Sequence, residues 1–138
     1  QMESDIFIPS ARPDVFTVEN QHWLKTKLVL EGANISITHE AAEKMCDRGI
    51  VIVPDVIANS GGVICAATEY QGMSEKQAFE RIEATISRNT EEVLERTLKQ
   101  GQYPHAAAKK RTGCANIKYS IIKYLCELFY KISHIISP

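Results

Sequence analysis

Three short apolar runs, each closed by a helix breaker or by small residues, limit the possible folds of this chain more than any other feature. Asp5-Ile-Phe-Ile8 stops at Pro9, Lys27-Leu-Val-Leu30 leads into Gly32 and Ala33, and Ile50-Val-Ile-Val53 stops at Pro54. All are rich in β-branched residues and do not alternate with polar ones, the pattern of parallel strands covered on both faces. Parallel neighbours need a long crossover, and the intervening segments provide it. Thr17 is placed to cap a short helix, with Trp23 and Leu24 turned towards the sheet. Thr38 is placed to cap a second helix that carries Ala41, Ala42 and Met45 inward, and Gly49 supplies its left-handed stop. The order β-α-β-α-β with right-handed crossovers is the plan of half a nucleotide-binding fold.

After Pro54 the pattern turns helical. Gly61-Gly62 opens a small-residue helix that reaches Tyr70 and breaks at Gly72. Ser74 and Gln77 then form a capping box, and Ala78, Phe79, Ile82, Ile86, Val93, Leu94 and Leu98 recur at helical spacing until Gly101. In the tail, 109–138, Ile117, Ile121, Leu125, Leu128, Ile132 and Ile135 place one apolar stripe on a last helix, suited to covering a core or a partner chain. The expected class is α/β: a partial Rossmann-like parallel sheet of about three strands with a helical carboxy-terminal extension. Residues 1–72 form the sheet half and 73–138 the extension.

Composition removes several functions. The chain has 138 residues with 44% hydrophobic and 24% charged, enough for one ordinary core. A formal charge of -1 provides no basic field for nucleic acid. The segment from Ile117 to Ile136 is interrupted by Lys118, Lys123, Glu127 and Lys131, so no membrane span is expected. Cys46, Cys65, Cys114 and Cys126 form no Cys-x-x-Cys pair and no zinc spacing with histidine, which fits reduced thiols in a cytoplasmic protein without a metal. His22, His39, His105 and His134 are scattered and read as surface residues.

In an open parallel sheet, ligands bind beyond the carboxyl ends of the strands. The segments found there are Pro9-Ser10-Ala11, Glu31-Gly32-Ala33-Asn34 and Pro54-Asp55 leading to Asn59-Ser60-Gly61-Gly62. They are small and backbone-rich, so a flat ring or a ribose can lie against them. Asn34 and Asn59 stand out because a carboxamide offers both a donor and an acceptor, although asparagine beside glycine is also a common turn. Gly61-Gly62 reads either as a tight turn or as a place of close ligand approach. Asp55 is given no role. No Gly-x-Gly-x-x-Gly occurs, so the pyrophosphate loop of a whole dinucleotide domain lies outside this sequence.

Asp5-Ile-Phe-Ile-Pro-Ser-Ala-Arg-Pro13, Val29-Leu-Glu-Gly-Ala-Asn34 and Val53-Pro-Asp-Val-Ile-Ala-Asn-Ser-Gly-Gly-Val63 together resemble the glutamate/leucine/phenylalanine/valine dehydrogenase family in order and spacing. The resemblance spans roughly Asp5 to Gln102 and fades after Ala108. It implies oxidative deamination of an L-amino acid with NAD or NADP. It also implies Ser10 and Ala11 near the adenosine ribose, Asn34 and Asn59 near the nicotinamide ribose and amide, and Val63 in the substrate pocket.

Two departures stand within these motifs. Ser60 replaces the family's usual alanine, a small change that the fold tolerates. Ala66 stands where glutamate-specific members generally have a serine for the γ-carboxylate, so that donor is lost and a shorter or apolar substrate becomes open beside glutamate, the family's commonest substrate. The family's catalytic lysine and aspartate belong to an amino-terminal domain without a counterpart here, so no catalytic residue is assigned. The isolated chain is expected to bind the nucleotide weakly or not at all and not to turn over. It is expected to work as a homo-oligomer or with a companion amino-terminal half. The alternative is a non-catalytic interaction module that uses its sheet edge and tail helix.

Overall fold

The computed structural model describes residues 2–112, and Gln1–Ala108 form one compact unit. The stripe expected between Ile117 and Ile135, with Cys114, Cys126 and His134, lies outside the described residues. The strands are β1 (Met2–Glu3), β2 (Ile6–Phe7), β3 (Leu24–Lys25), β4 (Leu28–Leu30) and β5 (Val51–Val53). β2, β4 and β5 make a parallel sheet in that order, with Ile6 opposite Leu28 and Leu30 opposite Val53. β1 and β3 form a second parallel pair, Met2 opposite Leu24, which the sequence reading does not anticipate.

The pleat sorts side chains between two cores. Val29 and Ile52 enter one core with Phe16, Leu24, Ile37 and the inner face of α1 (His39–Asp47), whose Ala41, Ala42 and Met45 are buried as expected. Leu28, Leu30 and Val53 belong to the other core, with Ile57, Val93, Ala107 and Ala108. Burying each of the larger aliphatic side chains stabilises the fold by about 1.5–3 kcal/mol. Thr38 occupies the amino cap of α1, but its hydroxyl makes no capping bond; its backbone N–H is instead held by the Phe16 carbonyl at 2.9 Å. Gly49, at φ 86°, turns the chain out of α1 into β5.

Beyond β5 come α2 (Asp55–Ala58), α3 (Gly61–Tyr70), α4 (Glu75–Gln100) and α5 (Pro104–Thr112). The capping box at α4 is present, Ser74 N–H donating to Gln77 Oε1 at 2.9 Å and Gln77 N–H to Ser74 Oγ at 3.4 Å. Gly101 ends α4 with φ 65°.

Several expectations need correction. In place of an α-helix after Thr17 there is a 3-10 turn, Gln21–Trp23. Leu24 is buried, but as a residue of β3, and Trp23 remains 58% exposed because so short a turn has no inner face for it. Ile6 and Ile8 are 54% and 55% exposed, because among the described residues neither core covers the face of β2 that carries them. On α4, Phe79 and Leu98 are also exposed, so only part of its apolar stripe meets the core.

Candidate functional site

The three loops at the carboxyl ends of β2, β4 and β5 are joined by hydrogen bonds. The Ala33 N–H donates to the Pro9 carbonyl at 2.8 Å, tying the second loop to the first. Asn59 Nδ2 donates to Asn34 Oδ1 at 2.7 Å and to the Gly32 carbonyl at 3.4 Å, tying the third loop to the second. Asn34 and Asn59, singled out from sequence, are therefore direct partners. Among the described residues the Asn34 NH2 and the Asn59 side-chain carbonyl have no partner, leaving one donor group and one acceptor for a ligand.

Gly32 is what lets these loops close. A Cβ there would overlap the Ser10 hydroxyl and stand 3.3 Å from Ile8 Cγ2. Ser10 and Ala11 are exposed on the first loop, and the Ser10 hydroxyl reaches the Ile8 carbonyl at 3.4 Å. Gly61 and Gly62 lie in the first turn of α3 without positive φ, and an added Cβ on Gly62 would meet nothing within 4 Å, so no tight turn is needed there. The Ser60 hydroxyl donates to the Ile57 carbonyl at 2.8 Å and so closes the end of α2.

Val63 and Ala66 sit on α3. Val63 lines an open cavity of about 500 Å³ with Ile64 and Ala67 of α3 and Arg81, Thr85 and Arg88 of α4; Ala66 is outside it. A larger depression, about 660 Å³, lies among Ser4, Asp5, Thr26, Lys27 and Ile50 at the opposite, amino-terminal ends of the strands, away from the asparagines.

Sequence reasoning passed over two acidic residues of the site. Asp55 accepts from the Ile35 N–H at 2.8 Å and the Val56 N–H at 2.7 Å, so it both starts α2 and holds the loop after Asn34. Glu31 is fully buried, accepting from the Ser36 hydroxyl at 2.8 Å and the Ile37 N–H at 3.2 Å, with His105 Nε2 2.6 Å from its other oxygen. His105 is thus not a surface residue. The signal available for Glu31 was a carboxylate directly after a buried strand, a position that requires partners.

The described residues contain no cluster of three or more metal-ligating side chains, and none of the described helices is long and apolar enough to cross a membrane.

The model of the Glutamate/Leucine/Phenylalanine/Valine dehydrogenase family matches residues 1–121. The chain belongs to this family. The match runs past Ala108, further than the quoted motifs reach. Its sequence is 35% identical over 125 residues to the NADP(+)-dependent glutamate dehydrogenase of Pyrobaculum calidifontis, covering 86% of this chain and 30% of that protein. It is 34% identical over 95 residues to the NAD-specific glutamate dehydrogenase of Staphylococcus aureus strain COL, covering 69% of this chain and 22% of that one. The chain therefore spans less than a third of these relatives. The crystal structure of L-tryptophan dehydrogenase from Nostoc punctiforme shares the fold, with a TM-score of 0.72 and 24% identity over 79% of this chain and 34% of the other.

Proposed function

We propose that this chain supplies the nicotinamide-side half of the dinucleotide site of an NAD(P)-dependent amino-acid dehydrogenase. Residues 1–72 form that half and 73–138 the extension. The reaction is oxidative deamination: hydride leaves the α-carbon of an L-amino acid for the nicotinamide, and water hydrolyses the resulting imino acid to a 2-oxo acid and ammonia.

The observation that carries the reading is the 2.7 Å bond between Asn59 and Asn34, which fixes a donor and an acceptor side by side at the ends of β5 and β4. That pair is complementary to a carboxamide or to ribose hydroxyls. Gly32 lets the Ser10 side chain close against the second loop, and Ser10 and Ala11, exposed on the first loop, border the adenosine side. NADP(+)- and NAD-dependent relatives support the cofactor class. Val63 and Ala66 line the substrate side; the methyl of Ala66 offers no donor to a γ-carboxylate, which opens the site to a shorter or apolar side chain beside glutamate, the substrate of the glutamate dehydrogenase relatives.

Turnover also needs the family's phosphate loop and catalytic lysine, which lie outside these residues. A companion half completes the sheet along β2, whose exposed Ile6 and Ile8 mark an edge that another element normally covers. The same exposure supports a second reading, a non-catalytic module that associates through this edge; a strict monomer by light scattering counts against both uses of the edge.

The test is calorimetric titration of the folded chain with NADH and, separately, NADPH. Weak saturable binding, reduced at least about fivefold further by Asn34→Ala or Asn59→Ala, supports the half-site, as when one or two ligand hydrogen bonds are lost. No heat up to millimolar ligand, from a chain shown to be folded, removes the cofactor role of this half on its own.

A further inference from the structure

Glu31 is the most deeply buried ionisable side chain beside the candidate site, and nothing in the proposed chemistry uses it. It follows β4 and immediately precedes Gly32. Its Oε2 takes the Ser36 hydroxyl at 2.8 Å and the Ile37 N–H at 3.2 Å, so the carboxylate closes the 31–37 loop from within while Asn34 sits exposed on that loop. Its Oε1 lies 2.6 Å from Nε2 of His105, which comes from α5, 74 residues further along the chain. The side chain of Glu31 is 0% exposed and that of His105 20%. A buried carboxylate deprived of a donor is left with uncompensated acceptor capacity, and either taking up a proton or opening the loop towards water weakens its hold on the Ser36 hydroxyl and the Ile37 N–H.

α5 is held at the same end of the sheet by other contacts. Ala107 and Ala108 are buried against Val53 and Ile57, on either side of the Pro54-Asp55 step. The His105 ring meets that of His39, the first residue of α1, edge to face at 5.7 Å. α5 thus touches the segments that carry both asparagines.

We propose that Glu31 and His105 form a latch through which docking of α5 fixes the 31–37 loop, making His105 a positioning residue for Asn34. The importance of the latch for nucleotide binding rests on the reading of the asparagine pair given above, but its test does not. In the full 138-residue chain, amide hydrogen exchange is compared between wild type, His105→Leu and His105→Gln. Exchange at Ile37, whose N–H Glu31 accepts, is expected to rise about tenfold or more in His105→Leu, with amides of α1 and β5 unchanged, and to return most of the way in His105→Gln, which restores a donor. Unchanged exchange in the loop, or a rise shared equally by α1 and β5, overturns the latch. If His105→Leu fails to fold, the imidazole Nε2 proton in wild type decides: a persistent, slowly exchanging resonance supports the bond to Glu31, and loss of that signal to rapid exchange with water refutes it. Failure of NADH to bind, with the latch intact, would overturn the cofactor reading alone.

Discussion

The carboxylate of Asp55 accepts the backbone N–H of Ile35 at 2.8 Å, bridging the start of α2 and the loop after β4. Ile35 is a β-branched residue with φ 53°, in the left-handed region that such side chains avoid at a cost of about 1–2 kcal/mol. The bond is what offsets that conformation. Asp55→Ala is therefore expected to lower the free energy of urea unfolding by about 1–2 kcal/mol, and Ile35→Gly in the same background to recover about 1 kcal/mol. A variant lacking the carboxylate but unfolding at the parental urea concentration would contradict this account.

What could be read from sequence follows from the range of each interaction. The strands and α1 are legible because Pro9, Pro54 and Gly49 punctuate them and because Ala41, Ala42 and Met45 repeat at helical spacing. The capping box of α4 is legible because Ser74 and Gln77 act on each other's backbone groups. By contrast, the exposure of Ile6 depends on which face of β2 distant elements cover, and a local run of apolar residues carries no such information. The bonds Glu31–His105 and Asp55–Ile35 join residues 74 and 20 positions apart, so composition at either end does not announce them. Asn34 and Asn59 are found because their small, glycine-rich surroundings recur at consecutive strand ends; their direct bond is visible only in three dimensions.

Gly32 has a steric rather than a conformational reason to be glycine. The Ser10 side chain occupies the place a Cβ would take, so Gly32→Ala is expected to destabilise the chain by about 1–3 kcal/mol through overpacking. Adding Ser10→Gly removes the obstructing group, and more than half the loss should return. Equilibrium denaturation of the two single variants and the double variant measures this coupling directly. Strictly additive losses would show that the two loops do not compete for that space.

Along α4, Val93 and Leu98 separate core from surface. Val93 is fully buried with Val53 and Ile57, whereas Leu98 is 67% exposed. Val93→Ala should cost about 1.5–3 kcal/mol, combining lost burial with the cavity left behind. Leu98→Ala should stay within about 0.5 kcal/mol of wild type in the isolated chain. If Leu98→Ala instead destabilises the chain in a concentration-dependent way, measured by thermal unfolding at several dilutions, its side chain is covered by another copy.

Cys46 tests the first core through its chemistry. Burial pushes the thiol up to about 11, with the neighbouring charges of Asp47 and Glu43 adding to the effect, against an ordinary 9.0. Two units correspond to roughly 100-fold less thiolate, the reactive form, so at about pH 8 alkylation of Cys46 should be about 100-fold slower than that of an unshifted thiol. The rate should climb about tenfold per pH unit towards about pH 11. The raised value means that the folded chain holds this proton more tightly than the unfolded one. Its contribution to stability is therefore complete below the ordinary thiol value and is lost as pH rises through about 11. Site-resolved mass spectrometry after timed iodoacetamide labelling distinguishes Cys46 from the other cysteines. Labelling at the rate of a free thiol would mean that the packing of Cys46, with Phe7 and Val15, against the buried cluster around Phe16, Val29 and Ile52 opens far more often than this core allows.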